Sequence, residues 1–107
     1  STDIKSAIRA QVKEATSAAN VNPNVYSTAA NFYYDIDKDY SNALIFAEKA
    51  IAANPKAYWL LLLKGKAQKQ LGDKAGAKAS AEACIKLATA EKNDDYIRNG
   101  KELLASL

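Results

Sequence analysis

The side chains that most often carry out catalysis are scarce in this chain of 107 residues. It contains no histidine and a single cysteine, Cys84. A nucleophile with its general base, or a zinc site of the usual composition, therefore cannot be assembled from these residues. The acidic pair Asp94 and Asp95 stands where a helix is predicted to begin, and the helix dipole accounts for carboxylates there. We expect a protein that is not an enzyme and that needs no cofactor.

Alternating carboxylates at Asp35, Asp37 and Asp39 are the one pattern that suggests a metal, because such alternation opens the calcium loop of an EF-hand. Counting from Asp35, however, the sixth position is Tyr40 instead of glycine, and the twelfth is Phe46 instead of glutamate. The sharp turn and the bidentate ligand are both missing. We therefore interpret the segment as a polar turn capped by Asp39, and we predict no metal site.

The overall composition is typical of a single all-α domain. Hydrophobic residues make up 49% of the chain and charged residues 25%, and two prolines in an alanine-rich sequence leave helix favoured throughout. The net charge of +3 is small and the lysines are spread along the chain, so we do not expect nucleic acid as a partner. No segment reaches the ~18 apolar residues of a membrane span. One cysteine excludes a disulfide framework but leaves the compartment open.

An internal repeat is the most informative feature of the sequence. Ala43 and Ala77 are 34 positions apart, and the same shift relates two longer sets of residues. Asn31, Tyr33, Asp39, Ala43, Ala47, Ala50 and Ile51 correspond to Gly65, Ala67, Asp73, Ala77, Ala81, Cys84 and Ile85. A fixed period of this size with small residues at the helix crossings is typical of stacked helical hairpins.

Helix periodicity, caps and breakers divide the chain into four parts. The Asn-Pro pair at 22–23 ends a first apolar stripe, and the same pair returns at 54–55 after a complete hairpin. We predict about five helices in one domain, with a degenerate half-repeat at 3–20, hairpins at 24–55 and 57–90, and a capping helix at 93–107.

The small-residue positions of the repeat carry a resemblance to the tetratricopeptide repeat (TPR) family, whose pattern runs W-x2-L-G-x2-Y, A-x3-F, A and P. Tyr34, Ala43, Ala50 and Pro55 match it in the first repeat, and Gly65, Ala77 and the Gly72-Asp73 turn match it in the second. The departures are Ser27, Ala30, Asn31, Leu61, Lys64, Gln68 and Thr89. The resemblance implies a right-handed array of antiparallel helical hairpins that binds proteins.

A second resemblance lies in the segments Gly72-Asp73-Lys74-Ala75-Gly76-Ala77 and Asn93-Asp94-Asp95-Tyr96. They look like the C-terminal helical region of an uncharacterised family of secreted Bacteroidetes proteins. This resemblance implies an exported parent protein with another domain in front, hence a periplasmic or secreted location, and otherwise we expect a cytoplasmic one.

The TPR resemblance implies that the first helix of each hairpin lines a concave, ligand-binding face. The positions it selects are Val25, Thr28, Phe32, Trp59, Leu62, Leu63, Lys66 and Lys69. Residues 58–63 are apolar all around a helix, whereas packing needs only a stripe, so Trp59, Leu62 and Leu63 are predicted to be surplus apolar surface. Phe32 stands where some family members place an asparagine that clamps a carboxylate, and we do not predict that clamp here.

Three occupants of this apolar face fit the sequence: the last helix or another part of a longer chain, an amphipathic or apolar peptide, and a second copy of the protein in a homodimer. Lys66 and Lys69 fit an acidic segment of a partner, or simply a solvated helix face. We therefore predict a non-catalytic protein–protein interaction module. The alternative is a structural C-terminal appendage of a larger exported protein, which packs on its own parent chain or self-associates.

Overall fold

The computed structural model describes residues 4–17 and 22–107, and these residues form six α-helices without a strand among them. The helices are α1 (Ile4–Thr16), α2 (Pro23–Asp35), α3 (Tyr40–Ala53), α4 (Tyr58–Gln70), α5 (Lys74–Ala90) and α6 (Asp94–Ala105). The all-α prediction is confirmed. The predicted count of about five is wrong: the described residues form six helices, one in the segment before Asn22, two in each hairpin and one at the end. Residues 3 and 18–20 of the predicted half-repeat lie outside the described residues.

The helices pack largely in chain order. Helices α2 and α3 form one hairpin, hairpin 1, and α4 and α5 form a second, hairpin 2. Between the hairpins α4 contacts both α2 and α3, and α6 contacts both α4 and α5 in the same way. Helix α1 contacts α2 and no other helix of the described chain. The first helices of the hairpins and α6 therefore form one layer, and α3 and α5 form the other.

Three of the turns between helices have the same backbone construction. Each contains one residue at positive φ, Lys38 (54°), Gly72 (84°) or Lys92 (56°). The residue that follows donates its backbone N–H to a carbonyl near the end of the preceding helix, at 2.9 Å in all three turns. Such bonds satisfy carbonyls that a helix end leaves free, and glycine is the residue that adopts this conformation at least cost.

A side-chain cap completes each of these turns. The carboxylates of Asp39 and Asp73 and the side-chain amide of Asn93 each accept a hydrogen bond from the backbone N–H three residues later. The link between hairpins is different, because Ala57 precedes α4 and provides no side-chain cap. Asn54 ends α3 with backbone bonds alone.

Small residues form the seam within each hairpin. Ala43 and Ala77 are both fully buried, and each donates its backbone N–H to the carbonyl of the capping aspartate at 3.0 Å. The two repeats thus place these alanines equivalently. Gly65 lies so close to α5 that a Cβ on it would be 3.2 Å from the Cβ of Ser80. A Cβ on Gly100 would lie 2.7 Å from Cγ1 of Ile85, so α6 approaches α5 as closely.

Cys84 occupies one of these seam positions and is fully buried. Its Sγ lies 3.9 Å from the carbonyl oxygen of Tyr96, to which it donates a weak hydrogen bond. Burial raises the pKa of the Cys84 thiol above its ordinary value, since desolvation disfavours the thiolate. The cysteine therefore acts as a small core residue, and its chemistry is suppressed.

We expect iodoacetamide to alkylate Cys84 about a hundredfold more slowly in the folded protein than in denaturant at the same mildly alkaline pH. The raised pKa lowers the thiolate fraction and burial blocks access. Mass spectrometry of timed samples measures both rates. Equal rates in the two conditions would show that the seam around Cys84 is open.

Replacing Lys92 with glycine should stabilise the protein by about 0.5–1 kcal/mol, because glycine adopts the positive φ of this position without the steric cost of a Cβ. Urea unfolding measures the difference. Lys86→Gly is the matched control, since Lys86 is exposed within α5 and glycine there should destabilise by about 1 kcal/mol. A Lys92→Gly protein less stable than wild type would contradict the turn assignment.

Candidate functional site

A groove runs between α2, α4 and α6, with a volume of about 420 Å³. We call it the α4 groove, because α4 supplies four of its lining residues. Its apolar lining is Leu62 and Leu103, and Tyr34 lines it from α2. The polar lining consists of Lys66, Lys69, Gln70, Asn99, Glu102 and Ser106. The groove thus combines apolar contacts with two ammonium groups, two amides and one carboxylate.

The two lysines reach across the groove toward neighbouring helices. The ammonium of Lys66 lies 5.0 Å from the centre of the Tyr34 ring, a cation–π contact to α2. Lys69 donates a hydrogen bond from Nζ to Oγ of Ser106 in α6, at 2.9 Å. Both contacts use neutral partners. The positive charge of each lysine is therefore positioned but not neutralised by a carboxylate in these contacts.

Tyr34 contributes a neutral phenol to the groove. Burial raises its pKa above the ordinary value of a tyrosine, and nearby Tyr40 and Asp35 raise it further, whereas a side-chain hydrogen bond with Gln70 lowers it. The raised pKa keeps the hydroxyl protonated at neutral pH. Tyr34 therefore presents an uncharged ring to Lys66, and its hydroxyl stays protonated.

Trp59 lies on the same face of α4 as Leu62 and Lys66, beyond the groove lining, and 44% of it is exposed. Its ring packs edge-on against Tyr58 at 5.0 Å, and Tyr58 packs in turn against Tyr96 of α6 at 5.3 Å. Asn93 also donates a hydrogen bond from Nδ2 to the hydroxyl of Tyr58 at 3.1 Å. This aromatic cluster packs against Trp59, which nevertheless remains partly exposed to solvent.

Sequence reasoning missed the contact between Tyr58 and Tyr96. No helical spacing relates the two residues, since they belong to helices separated by the whole of α5. The one sequence feature that bears on this contact is the N-cap Asn93. It fixes where α6 begins, and therefore which turn of α4 lies opposite Tyr96.

Two of the predicted site residues are buried, which corrects the expectation that they are exposed. Leu63 is 7% exposed and packs with Ala30 and Ala47. Helix α4 is enclosed by neighbours on several sides, so its buried face is wider than the single stripe assumed from the sequence. Leu60 is also buried, whereas Leu61 is only partly so.

Phe32 is 5% exposed, so it too departs from the expectation of an open face. It belongs to a core cluster with Tyr33, against which Ile8 and Val12 of α1 pack. The sequence pattern assigned α1 to a preceding half-repeat without indicating which residues of α2 it would cover.

The predicted positions in α2 line a separate groove. Val25 and Thr28 face Val12 and Ala15 of α1 across a mostly apolar space of about 340 Å³. Lys69 is exposed, and Leu62 and Lys66 are partly buried in the α4 groove. The structure therefore brings Leu62, Lys66 and Lys69 together, places Trp59 beside them, and separates them from the α2 positions.

Comparison with models of known protein families gives no match, and comparison with curated proteins gives none either. The resemblance to tetratricopeptide repeats consequently rests on the residues of this chain. No helix in the described ranges has the length and apolar character needed to cross a membrane. Within those same ranges, no three acidic, cysteine or histidine side chains are grouped so that they could hold a metal ion.

Because Leu62 and Leu63 differ in burial, we expect their replacement by alanine to lower the free energy of unfolding by different amounts. Leu63→Ala should destabilise the protein by about 2–5 kcal/mol, because it leaves a cavity between α2, α3 and α4. Leu62→Ala should cost about 1 kcal/mol or less, since Leu62 lines the open groove. Urea unfolding of both variants gives the comparison, and similar losses would contradict the boundary drawn here between core and groove.

Proposed function

We propose that this protein is a non-catalytic interaction module, a right-handed TPR-like array that binds a peptide segment of a partner protein in the α4 groove. The observation that carries the proposal is the composition of this groove, in which Leu62 lies beside Lys66 and Lys69 on one face of α4. The repeat pattern supports the same assignment, because first helices of stacked hairpins form the ligand-binding face in the family that the chain resembles.

The groove chemistry favours a ligand with an apolar side chain next to an acidic one. Leu62 and Leu103 offer an apolar contact, and the two lysines lie along the same groove. A carboxylate of the ligand could take the place of the Ser106 hydroxyl as the acceptor of the Lys69 hydrogen bond, or could bind Lys66 in addition to its contact with Tyr34. Either contact would be a charge-assisted hydrogen bond.

The amides of Gln70 and Asn99 can each donate and accept a hydrogen bond, as an extended peptide backbone requires. Trp59 adds an apolar anchor at the end of the groove, where the aromatic cluster limits its side-chain freedom. A large, partly ordered aromatic residue loses little entropy on binding and is common among residues that dominate interface energies.

A structural appendage that packs on its own parent chain, or on a second copy, is the second candidate. The observation that favours it is apolar surface outside the α4 groove. Ile36 and Leu71 cap the C-terminal ends of α2 and α4, and they are 49% and 45% exposed. Each places an exposed apolar side chain at the C-terminal end of a first-layer helix.

A displayed library of random dodecapeptides tests the proposed function. It is selected on the wild-type protein and counter-selected on the Trp59→Ala/Leu62→Ala double variant, which keeps the core intact. We expect enriched peptides to pair an apolar residue with an acidic one. The double variant should bind them at least about 30-fold more weakly, because both side chains are already partly buried and binding completes a burial that is worth roughly 1.5–3 kcal/mol for each in full. Fluorescence anisotropy of labelled peptides gives the dissociation constants.

Charge reversal supplies the control for this experiment. Lys66→Glu should weaken the acidic peptides about tenfold, whereas Lys78→Glu, exposed on α5, should leave them unchanged. Circular dichroism verifies that helicity is retained. A library that yields no peptide discriminating wild type from the double variant, or equal effects of both charge reversals, would refute binding in the α4 groove. A concentration-dependent dimer in sedimentation would then favour the appendage.

A further inference from the structure

Helix α1 is attached to the rest of the protein through a narrow contact. It touches α2 and no other helix in the described part of the chain, and none of its described residues is fully buried. Ile8 and Val12 are its partly buried residues that pack on the core cluster containing Phe32. Every other helix contacts at least two neighbours. Local opening requires the least free energy where few buried contacts are lost, so α1 is the element that opens most easily.

An ion pair forms part of this attachment. Arg9 donates from Nε to Oδ2 of Asp37 at 2.9 Å, and its second nitrogen pairs with the other carboxylate oxygen. Lys5 lies 3.9 Å from the same carboxylate. The Asp37 side chain is 8% exposed and that of Arg9 is 41% exposed, so the pair is partly desolvated and geometrically specific. Arg9 thus joins α1 to the turn after α2.

The surface beneath α1 is mostly apolar, with Thr28 among its polar residues. Val25 and Ala29 lie along it with Phe32, and Val12 and Ala15 face it from α1. The repeat relates Phe32 to Lys66, which contacts Tyr34 of the preceding hairpin. Helix α1 therefore lies on the side of α2 where an earlier repeat would continue the array. An opened α1 would leave a helix-sized apolar surface at that end.

We propose that α1 is a detachable cover, and that the α2 face formed by Val25, Ala29 and Phe32 is a second interaction surface that accepts an amphipathic helix of the α1 type. Its resident occupant is α1 itself. A docking helix competes with α1 by presenting an apolar stripe and a basic residue to Asp37. This surface is separate from the α4 groove, and the inference holds whether or not that groove binds a peptide.

Hydrogen exchange of the full chain tests the first half of this proposal. Arg9→Gln removes the charge that pairs with Asp37, and we expect the amides of α1 to exchange about tenfold faster, with α4 and α5 unchanged. Arg98→Gln is the matched control, because Arg98 forms an exposed ion pair with Asp95 at 3.2 Å. It should leave exchange in α1 as in wild type. Unchanged exchange of α1, or equal acceleration of all helices, would overturn the proposal.

A fluorescein-labelled peptide containing residues 4–17 tests the second half. The peptide keeps the arginine that can pair with Asp37, whereas the α1 of the Arg9→Gln chain has lost it and competes less for the α2 face. The peptide should therefore bind the Arg9→Gln chain about tenfold more tightly than it binds wild type. The Arg9→Gln/Asp37→Asn chain should lose this gain. Failure of the peptide to bind the Arg9→Gln chain would show that the face under α1 is not a docking surface. Neither the hydrogen-exchange nor the peptide-binding experiment involves the α4 groove, so the outcomes of both are independent of the proposed function.

Discussion

Close approach of helix backbones at positions occupied by very small residues is the constraint on which this structure depends. Ala43 and Ala77 lie at equivalent places in the two hairpins, and both are completely buried. Gly65 and Gly100 extend the same constraint to α5 and α6, where a Cβ would meet the neighbouring helix. Each of these small side chains contributes little dispersion energy and buries little apolar area. The stabilisation comes instead from the many backbone atoms that come into contact because the side chains are small.

This constraint also determines where larger side chains can lie. With the seams filled by alanine, Leu60 and Leu63 fill the space between hairpins, and Leu62 is left at the edge of the first layer. Helix α6 then lies beside α4, supplying Leu103 to the groove. The groove therefore results from the way the hairpins stack. Its polar residues lie on helices whose positions are determined by the packing of small residues within and between the hairpins.

The elements and their seams could be predicted from the sequence because each depends on local patterns. Asp39 and Asp73 cap helices as their spacing indicates, and the 34-residue shift identified the buried alanines. The exposure of Leu63 could not be predicted, because it depends on how many helices enclose α4. Phe32 shows the same limit, since its burial depends on where α1 docks. Of the candidate site, the sequence located the face of α4, whereas the contributions of Tyr34, Asn99 and Glu102 required the arrangement of three separate helices.

The contrast between capped and uncapped turns has a consequence for the shape of the α4 groove. Helices α4, α5 and α6 are joined by turns in which Asp73 and Asn93 close the geometry with side-chain bonds. The junction before Ala57 has no such bond. Among the groove residues that the structure describes, Tyr34 alone belongs to hairpin 1. A change of angle between the hairpins would therefore move Tyr34 relative to the other groove residues. The arrangement of those other residues among themselves would not change.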